Sequence, residues 1–318
     1  LLFDTRKTTR QGQVGARVDR AFGGTALSFG GYAGSRSIVQ FLSVPVVAQS
    51  NPLSGGGVVD LDRDYAGFDA RVRRPGLLGV RGLAATAGVE RQISNENRRG
   101  YENFQGTTLG VRGGLRRDED DHVGSWDQFA QAEWGITERW RLDAGARHSR
   151  VRFRSDDHYV TAQNPDDSGT ITYERTNPVA GLLWRATGRV SLYANAGRGF
   201  ETPTLNELAY RADSTSGLNT RLRAARSDNV EAGVRGRAGT ASYGVAGFLV
   251  RTRDELVVAS SQGGRTTYDN AARTERRGVE ASWNGPLASR WRGSLAYTYL
   301  DARFRQAFGA VREGSRIP

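Results

Sequence analysis

The stretch that decides the fold class is WRLDAGAR, at residues 140–147. Its even-numbered positions are apolar and its odd-numbered positions are polar or glycine, which is the two-residue period of a strand with two different faces. The same alternation recurs at residues 189–196, 230–235 and 279–284. No segment reads as a long amphipathic helix, in which apolar residues would return every three or four positions. The pattern predicts an all-β chain of long, two-faced strands.

The composition resembles that of a soluble protein, but it also suits a β-barrel in a membrane. Of the 318 residues only 37% are hydrophobic, the mean hydropathy is −0.56, and no apolar run approaches the roughly 18 residues that a membrane helix needs. In a membrane barrel only alternate residues face lipid, so the average hydropathy stays low. Cysteine is absent, which excludes disulfides, zinc–thiolate sites and a thiol nucleophile.

The charge pattern and the absence of catalytic motifs argue against two further classes of function. The net charge of +11 comes almost wholly from arginine, since Lys7 is the only lysine. The arginines are spread along the whole chain among 34 acidic residues, without a basic helix or dense cluster, so we expect no nucleic-acid partner. The nucleophile and metalloprotease motifs G-x-S-x-G and H-E-x-x-H are missing, so we expect no enzyme.

Short and long connections alternate along the chain. The short, turn-like ones are at residues 23–24, 74–76, 137–139, 187–188, 238–240 and 285–290. The long, polar ones are at about residues 34–63, 93–123, 155–170, 201–227 and 258–265. Short turns on one rim and long loops on the other are the layout of an antiparallel up-and-down transmembrane β-barrel. Counting between the connections gives about twelve strands of roughly ten or more residues, enough to cross a membrane at a tilt.

Tryptophans lie within a few residues of the short turns, as in the aromatic girdle at a barrel's membrane boundary. They are Trp134, Trp140, Trp184, Trp283 and Trp291. In a soluble β-sandwich the same residues would form the core, but sandwiches seldom combine such long strands with loops on one side only. We see no internal domain boundary, so residues 1–318 are expected to form one barrel segment. Because Leu1 opens no signal peptide and the chain stops abruptly at Pro318, we expect a piece of a longer protein.

Three motifs point to a family. They are YANAGRGFETPTLNEL at residues 193–208, YDNAARTERRGVE at 268–280 and LAYTYLDA at 295–302. Together they resemble the barrel of TonB-dependent receptors, over roughly residues 60–318. The motif residues, taken as structural, are Gly197, Gly199, Phe200, Pro203, Leu205, Glu207, Asn270, Gly278 and Glu280.

Simple physical chemistry accounts for part of these motifs. Gly197 and Gly199 are expected to let a strand bend or bulge where it leaves the membrane. Pro203 is expected to end ladder pairing as the chain enters a loop. Glu280 is a polar position on an alternating strand, so we expect it to face the lumen, where it could pair with Arg277 or with a plug.

The resemblance implies a barrel of 22 strands, of which about twelve are present here, closed by an N-terminal plug that this chain lacks together with the last strands. It implies a monomer in the Gram-negative outer membrane, surrounded by lipid and lipopolysaccharide. It also implies active uptake of a metal chelate, most commonly a ferric siderophore, powered by the TonB inner-membrane complex through the missing N-terminal region. No resident cofactor is expected, since the ferric chelate is cargo. The alternative is a passive porin or structural barrel without a plug.

Ligand capture is expected in the long loops, where cations and aromatics combine to suit an anionic metal complex. The candidates are Arg98, Arg99 and Tyr101 in one loop, His158 and Tyr159 in another, and Tyr210, Arg211, Arg221 and Arg223 in a third. The acidic run at residues 118–121 is expected to be a solvated loop tip rather than a metal site, because it lacks the spacing of a calcium loop.

Overall fold

The computed structural model describes residues 2–211, 218–262 and 265–317. Leu1, Pro318 and parts of two predicted loops, residues 212–217 and 263–264, lie outside this range. The strands are β1 (Arg6–Phe22), β2 (Thr25–Phe41), β3 (Val58–Pro75), β4 (Leu83–Tyr101), β5 (Phe104–Gln105), β6 (Thr108–Leu109), β7 (Leu115–Gly135), β8 (Trp140–Asp157), β9 (Gly169–Arg185), β10 (Val190–Glu201), β11 (Ala225–Ala238), β12 (Ala241–Gln262), β13 (Arg265–Ala288) and β14 (Trp291–Phe304). Two single-turn α-helices, α1 (Val46–Gln49) and α2 (Leu205–Leu208), and a 3₁₀ turn at Leu77–Gly79 lie in connections.

Twelve strands form one antiparallel sheet in which each strand pairs with its neighbours along the chain. Among the strands of the described residues, β5 and β6 alone stand apart, as a small hairpin in the connection between β4 and β7. This order confirms the predicted up-and-down topology and the count of twelve long strands. Within the described residues β1 and β14 are the two edges of the sheet, so the barrel is not closed. No helix of the described chain is long and apolar enough to span a membrane.

All six predicted short turns join neighbouring strands at one end of the sheet. The tightest shows why the sequence forms them: Gly23 and Gly24 have φ of 54° and 78°, and two successive positive φ values define the turn that matches the twist of a hairpin. Four longer connections, at residues 42–57, 102–114, 158–168 and 202–224, lie at the opposite end, whereas the predicted loop at 258–265 is mostly strand because β12 runs to Gln262 and β13 begins at Arg265. The asymmetry of the two rims is therefore confirmed.

The long connections are shorter than the sequence suggested, because the strands continue into segments that look like polar loops. β4 runs on to Tyr101 and β7 begins at Leu115, so most of the predicted loop at 93–123 is strand. These segments alternate charged residues with small or polar ones, and the charges pair across the ladder. Arg63 on β3, for example, donates to Glu96 on β4 at 2.6 Å. Such cross-strand pairs stabilise a polar sheet that extends beyond the membrane.

The membrane-facing surface is apolar only over the half of each strand nearest the short turns. On β4 the outward residues are Leu83, Ala85, Ala87, Val89, Arg91 and Ile93, and polar residues follow from Asn95 onward. Eleven residues from Leu83 to Ile93 match the span of a tilted membrane strand. Trp140 and Trp184 are directly paired near the turns, with rings stacked at 5.6 Å and tilted by 13°. We call this apolar band, which on β4 runs from Leu83 to Ile93, the apolar belt. Residues further toward the long connections therefore lie above the membrane.

Candidate functional site: a polar groove and the loop that covers it

A groove of about 1030 Å³ opens on the concave face of the sheet, at the end that carries the long connections. Its wall consists of alternate, inward-facing residues of six strands. They include Gln11, Tyr32, Arg36, Arg63, Tyr65, Gln92, Ser94, Glu96, Arg98, Asp121 and Phe153. One side is closed by the connection between β10 and β11, here called the covering loop and described over residues 202–211 and 218–224; its residues 202–206 line the groove. Its volume is at the upper end of the range for small-molecule sites, and its lining mixes aromatic, aliphatic and polar groups.

Arg36 is the cation in this groove that is best placed to meet a ligand. Its Nε is buried and has no hydrogen-bond partner, and no ion pair with Arg36 is formed within the described residues. Tyr65 lies across the ladder from the neighbouring Gly34, and its ring is 6.3 Å from that of Tyr32. Gln11 donates to the Tyr65 hydroxyl at 3.1 Å. A partly buried guanidinium in a groove wall that also carries two phenol rings can take an anionic, aromatic-rich ligand by bidentate hydrogen bonds and stacking.

The neighbouring cations are already paired. Arg63 is held by Glu96, which is only 6% exposed. Arg98 donates from Nη1 to the Asn206 side-chain oxygen at 3.0 Å, so it ties the covering loop to β4. Burial lowers the pKa of Arg98, and the nearby Arg117 lowers it further. Arg36 thus stands out from Arg63 and Arg98 as a groove cation without a carboxylate or amide partner.

A buried charge cluster lies beneath the covering loop, on the part of β7 above the membrane. The Arg117 Nε is 2.9 Å from Glu119, and its guanidinium lies over the Tyr210 ring at 5.0 Å. Burial raises the pKa of Glu119 and of Asp121, although Arg98 and Arg117 oppose the shift. Arg117 keeps its charge because Tyr210 and the acids raise its pKa despite burial. The cluster anchors the loop to the barrel wall.

The covering loop also has a small hydrophobic core of its own. β10 pairs with β9 only up to Gly197 and continues to Glu201 with β11 alone, which leaves room beside β9. That room holds a buried cluster in which Phe153 of β8 and Tyr173 of β9 pack against four residues of the connection, Leu208, Leu218, Leu222 and Ala224. Leu208 is completely buried, and the Tyr173 hydroxyl donates to the Leu222 carbonyl at 2.8 Å. The described residues on both sides of the loop are therefore packed against the barrel wall.

The motif at residues 193–208 forms the start of this loop. Pro203 is fully buried just after β10 ends, as expected of a residue that stops ladder pairing. Thr204 and Glu207 form a capping box on α2, since the Thr204 side chain accepts from the Glu207 backbone while the Glu207 carboxylate accepts from the Thr204 backbone. Phe200 and Leu205 pack against the buried cluster. The motif thus folds the chain from strand into covering loop.

Two details of the motif residues differ from expectation. β10 and β11 pair through Gly199 without a register shift, so there is no bulge at this position; a Cβ there would lie 2.3 Å from the Ser227 hydroxyl, which would have to move aside. Arg277 does not pair with Glu280, because its side chain lies on the other face of β13 and donates to Asp301 at 3.2 Å.

The motif at residues 268–280 holds the end of the covering loop that precedes β11 by hydrogen bonds. The Asn270 amide donates to the carbonyls of Arg223 and Asp254 at 2.8 and 2.7 Å, and its oxygen accepts from the Arg223 backbone at 2.8 Å. Gly278 allows β13 and β14 to approach, since a Cβ there would lie 2.2 Å from the Tyr299 carbonyl oxygen. Both residues are therefore structural in this fold.

The first group of predicted loop residues is not in a loop. Arg98 and Arg99 are on β4, and Tyr101 is its last residue. Successive strand residues face opposite sides, so Arg98 points into the groove while Arg99 points outward and pairs with Asp118 at 3.2 Å. Tyr101 lies under the Arg112 guanidinium at 4.6 Å. The run of charged residues led to the prediction of a loop. It is strand because a strand that continues beyond the membrane is polar on both faces.

The other candidates do lie in connections, but at separate places. His158 follows β8 and is 3.1 Å from Asp120 on the outer face, with Tyr159 beside it. Tyr210 is beneath Arg117, and Arg223 pairs with Asp254 at 2.8 Å. Arg211 and Arg221 also have interaction partners. Of the nine candidates only Arg98 lines the groove.

The acidic run at residues 118–121 is likewise strand rather than loop tip. Glu119 and Asp121 face inward and are 9% and 3% exposed, whereas Asp118 and Asp120 face outward. Within the described residues no group of three or more acids and histidines is placed to hold a metal ion. Sequence reasoning also missed Arg36, Arg63 and the two groove tyrosines. The available signal was that these polar residues occupy alternate positions on β2 and on β3, and therefore share one face of the sheet.

Comparison with known proteins agrees with this architecture. The family described as "TonB dependent receptor-like, beta-barrel" matches residues 3–318. The metal-pseudopaline receptor CntO of Pseudomonas aeruginosa is 28% identical over 212 residues, which are 63% of this chain and 27% of CntO. The probable TonB-dependent siderophore receptor PiuA of Acinetobacter baumannii is 24% identical over 208 residues, or 63% of this chain and 26% of PiuA. The chain spans about a quarter of the length of these relatives.

Solved structures show the same fold at low identity. The copper transporter OprC superposes with a TM-score of 0.76 at 14% identity, over 92% of this chain and 47% of OprC. The siderophore receptor PiuA from Acinetobacter baumannii superposes with a TM-score of 0.73 at 14% identity, over 99% of this chain and 51% of PiuA. The sheet and grooved concave face thus define part of an outer-membrane receptor barrel. The chain belongs to the TonB-dependent receptor β-barrel family.

Proposed function

We propose that the protein containing this barrel segment is an outer-membrane receptor that actively takes up an anionic metal chelate, with a ferric siderophore as the leading cargo. The partly buried Arg36 in the groove carries the proposal, because a guanidinium whose Nε is buried without a hydrogen-bond partner favours an anionic ligand. The names of the relatives, a metal-pseudopaline receptor and a siderophore receptor, support the same ligand class. In this proposal the TonB inner-membrane complex powers uptake, and the chelate is cargo rather than cofactor.

The groove suggests how capture would proceed. The chelate enters between β2 and the covering loop, and Arg36 binds its anionic edge while Tyr32 and Tyr65 contact its face. Arg98 holds the loop through Asn206, so loop opening would expose a second cation to the ligand. The remaining loop candidates stay predictions as first contacts at the rim. They are Arg99, Tyr101, His158, Tyr159, Tyr210, Arg211, Arg221 and Arg223.

Binding to the full-length receptor tests the proposal, with ferric complexes of a carboxylate and of a catecholate chelator as probes. Arg36→Gln should weaken binding of the recognised complex about 10- to 150-fold, the range for losing a hydrogen bond to a charged group of about 1.5–3 kcal/mol. Arg10→Gln is the matched control, because Arg10 lies on the adjacent strand, is exposed and faces outward. Equal affinity of Arg36→Gln and the wild type for every complex bound would refute the role of the groove.

Uptake into cells distinguishes the passive-porin alternative. An energised importer should lose uptake when the TonB complex is deleted, and it should take up one class of chelate. A porin should pass small solutes at the same rate with or without that complex.

A further inference from the structure

The inward face of the sheet carries four exposed arginines beside the short turns, here called the mouth arc. They are Arg139, Arg185, Arg189 and Arg237. Arg185 is the last residue of β9 and follows Trp184, whose ring stacks on Trp140 on the outward face. Because successive strand residues face opposite sides, Arg185 faces inward, toward the lumen. Arg237 shares that face with Arg235, which lies over the ring of the inward Tyr193 at 5.0 Å.

The mouth arc consists of two pairs of like charges across the ladder. The Arg185 amide donates to the Arg139 carbonyl at 2.8 Å, so these two residues lie opposite each other one step beyond the start of β8. The Arg237 amide likewise donates to the Arg189 carbonyl at 2.9 Å, one step before β10. The turn at residues 186–189 places the two pairs next to each other along the rim. Like charges directly opposite each other destabilise a sheet, so the arrangement has a cost in the receptor itself.

No carboxylate of the described residues neutralises the mouth arc. None of its four arginines forms an ion pair in that part of the chain. Glu138 is the one acidic residue in the six short turns, and it offers Arg185 its backbone oxygen, which accepts from Nη1 at 3.0 Å. The arc therefore has an excess of positive charge.

Like charges that oppose each other deeper on the inward face are neutralised. Glu133 and Asp143 lie opposite each other, and Arg141 contacts them at 3.2 and 3.0 Å. Asp69 and Glu90 also lie opposite each other, and arginines contact them at 3.1 and 2.5 Å. The sheet thus places an opposite charge beside these pairs and places none beside the mouth arc. Cations left in this way suit an anion that comes from outside the sheet.

The mouth arc lies at the opposite end of the inward face from the groove. Short turns are on the periplasmic side of outer-membrane barrels, so this is the periplasmic mouth of the lumen. Beside Arg235 and Tyr193 opens a shallow cavity of about 400 Å³, which has Ser242, Ser282 and Asn284 in its lining. The combination of guanidinium and phenol found in the groove therefore recurs at the mouth.

We infer that the mouth arc, together with Arg235 and Tyr193, is a second and weaker site for the anionic metal chelate, at the end of the lumen where the cargo leaves. The inference rests on the proposed function, which supplies an anionic cargo, and adds a site that the groove does not include. Rings of arginine or lysine are how pores select anions, and such a site must bind weakly enough to release the anion. Exposed guanidinium groups meet that condition, because their ion pairs are weak in water.

Titration of the detergent-solubilised full-length receptor tests the inference, with the ferric complexes of a carboxylate and of a catecholate chelator as probes. The recognised complex should fill two classes of site, a tight one in the groove and a weaker one at the mouth. Arg189→Gln/Arg237→Gln should weaken the weaker class about 2- to 30-fold, the range for losing two exposed charge contacts, and leave the tight class unchanged. Arg36→Gln should weaken the tight class alone. Arg189→Lys/Arg237→Lys should keep part of the weaker binding, because charge remains without the bidentate fork.

A matched control uses two exposed arginines near the short turns on the outward face. Arg20 lies opposite Leu27, and Arg74 is two residues from Val72, which lies on the other side of Leu27. Arg20→Gln/Arg74→Gln should change the affinity of both classes by less than about twofold, as substitutions away from a site do. Equal weakening in the two glutamine double variants, or no weakening in Arg189→Gln/Arg237→Gln, would overturn the inference. Heat-modifiable migration on a gel reports whether each variant is folded.

The same titration separates this inference from the proposed function. A tight class that is lost in Arg36→Gln, without any weaker class, would leave the proposed function intact and overturn the site at the mouth. A weaker class that depends on the mouth arc, without any tight class, would refute capture in the groove and keep the site at the mouth. Equimolar inorganic phosphate should not displace the chelate from the weaker class; full displacement would mean a general anion site and would contradict the chelate assignment. Binding of neither complex would overturn both proposals.

Discussion

The covering loop should be held chiefly by its small core, so we expect Leu208→Ala to release it. Leu208 is fully buried against Phe153, Tyr173 and Leu222, in a cluster that joins the loop to β8 and β9. Truncation removes three carbon atoms from a site in which Phe153 and Tyr173 belong to strands of the sheet and cannot move in to fill the gap. Such leucine-to-alanine changes cost about 2–5 kcal/mol. The loss should act on the loop and leave the barrel ladder intact, because local units open independently of the rest.

Amide hydrogen exchange in the full-length receptor measures this release. Two reporters in the loop are the Asn219 amide, which donates to the Leu208 carbonyl at 2.7 Å, and the Leu222 amide, which donates to Asn219 at 3.2 Å. A loss of about 2–5 kcal/mol corresponds to a fall in protection of about 30-fold to several thousandfold. Leu287→Ala is the control, since Leu287 is 68% exposed at the opposite rim. A change below about threefold in the reporters, or an equal change throughout the strands, would refute the account of the loop core.

Two more predictions concern packing and charge. Gly278→Ala should destabilise the sheet by about 1–3 kcal/mol, because the new methyl group would lie 2.2 Å from the Tyr299 carbonyl oxygen. Gly12→Ala should be tolerated, because nothing lies within 4 Å of its new methyl group. The melting temperature of each variant is measured by heat-modifiable gel migration, and equal melting temperatures would contradict the steric argument. Burial raises the pKa of Glu119 and Asp121 in the closed loop. The free energy that these two groups add to loop closure is therefore greatest below the ordinary carboxyl pKa of about 4, and it is lost as the pH rises through their raised pKa values. Loop amide protection, corrected for intrinsic exchange, should therefore increase on acidification from neutral pH, and a decrease would contradict the predicted direction.

Much of the fold could be read from the sequence because it depends on local patterns. Two-residue alternation, six short turns and tryptophans beside them each arise from residues close together in the chain. Those signals predicted twelve long antiparallel strands, and the sheet has them. The ends of the strands were less predictable, since the polar alternation of β4 beyond Ile93 looks like a loop until its partners on β3 and β7 are known.

The candidate site was predicted much less well, for a physical reason. The sequence shows that Arg98 and Arg99 are charged neighbours, but strand geometry alone sends one into the groove and the other outward. Whether a cation is free depends on partners far away in the chain: Arg98 meets Asn206, 108 residues later, while Arg36 meets no acid at all within the described residues.

The sequence by itself determined the class of fold, the number of strands, the two unlike rims and the family resemblance, since each depends on residue order within a strand or a turn. Only the tertiary structure decided which charges pair, which residues line the groove, and that the described residues of the loop after β10 pack into a small core. These properties follow from ladder register and sheet curvature, which bring residues together across strands whose separation in the chain carries no such information.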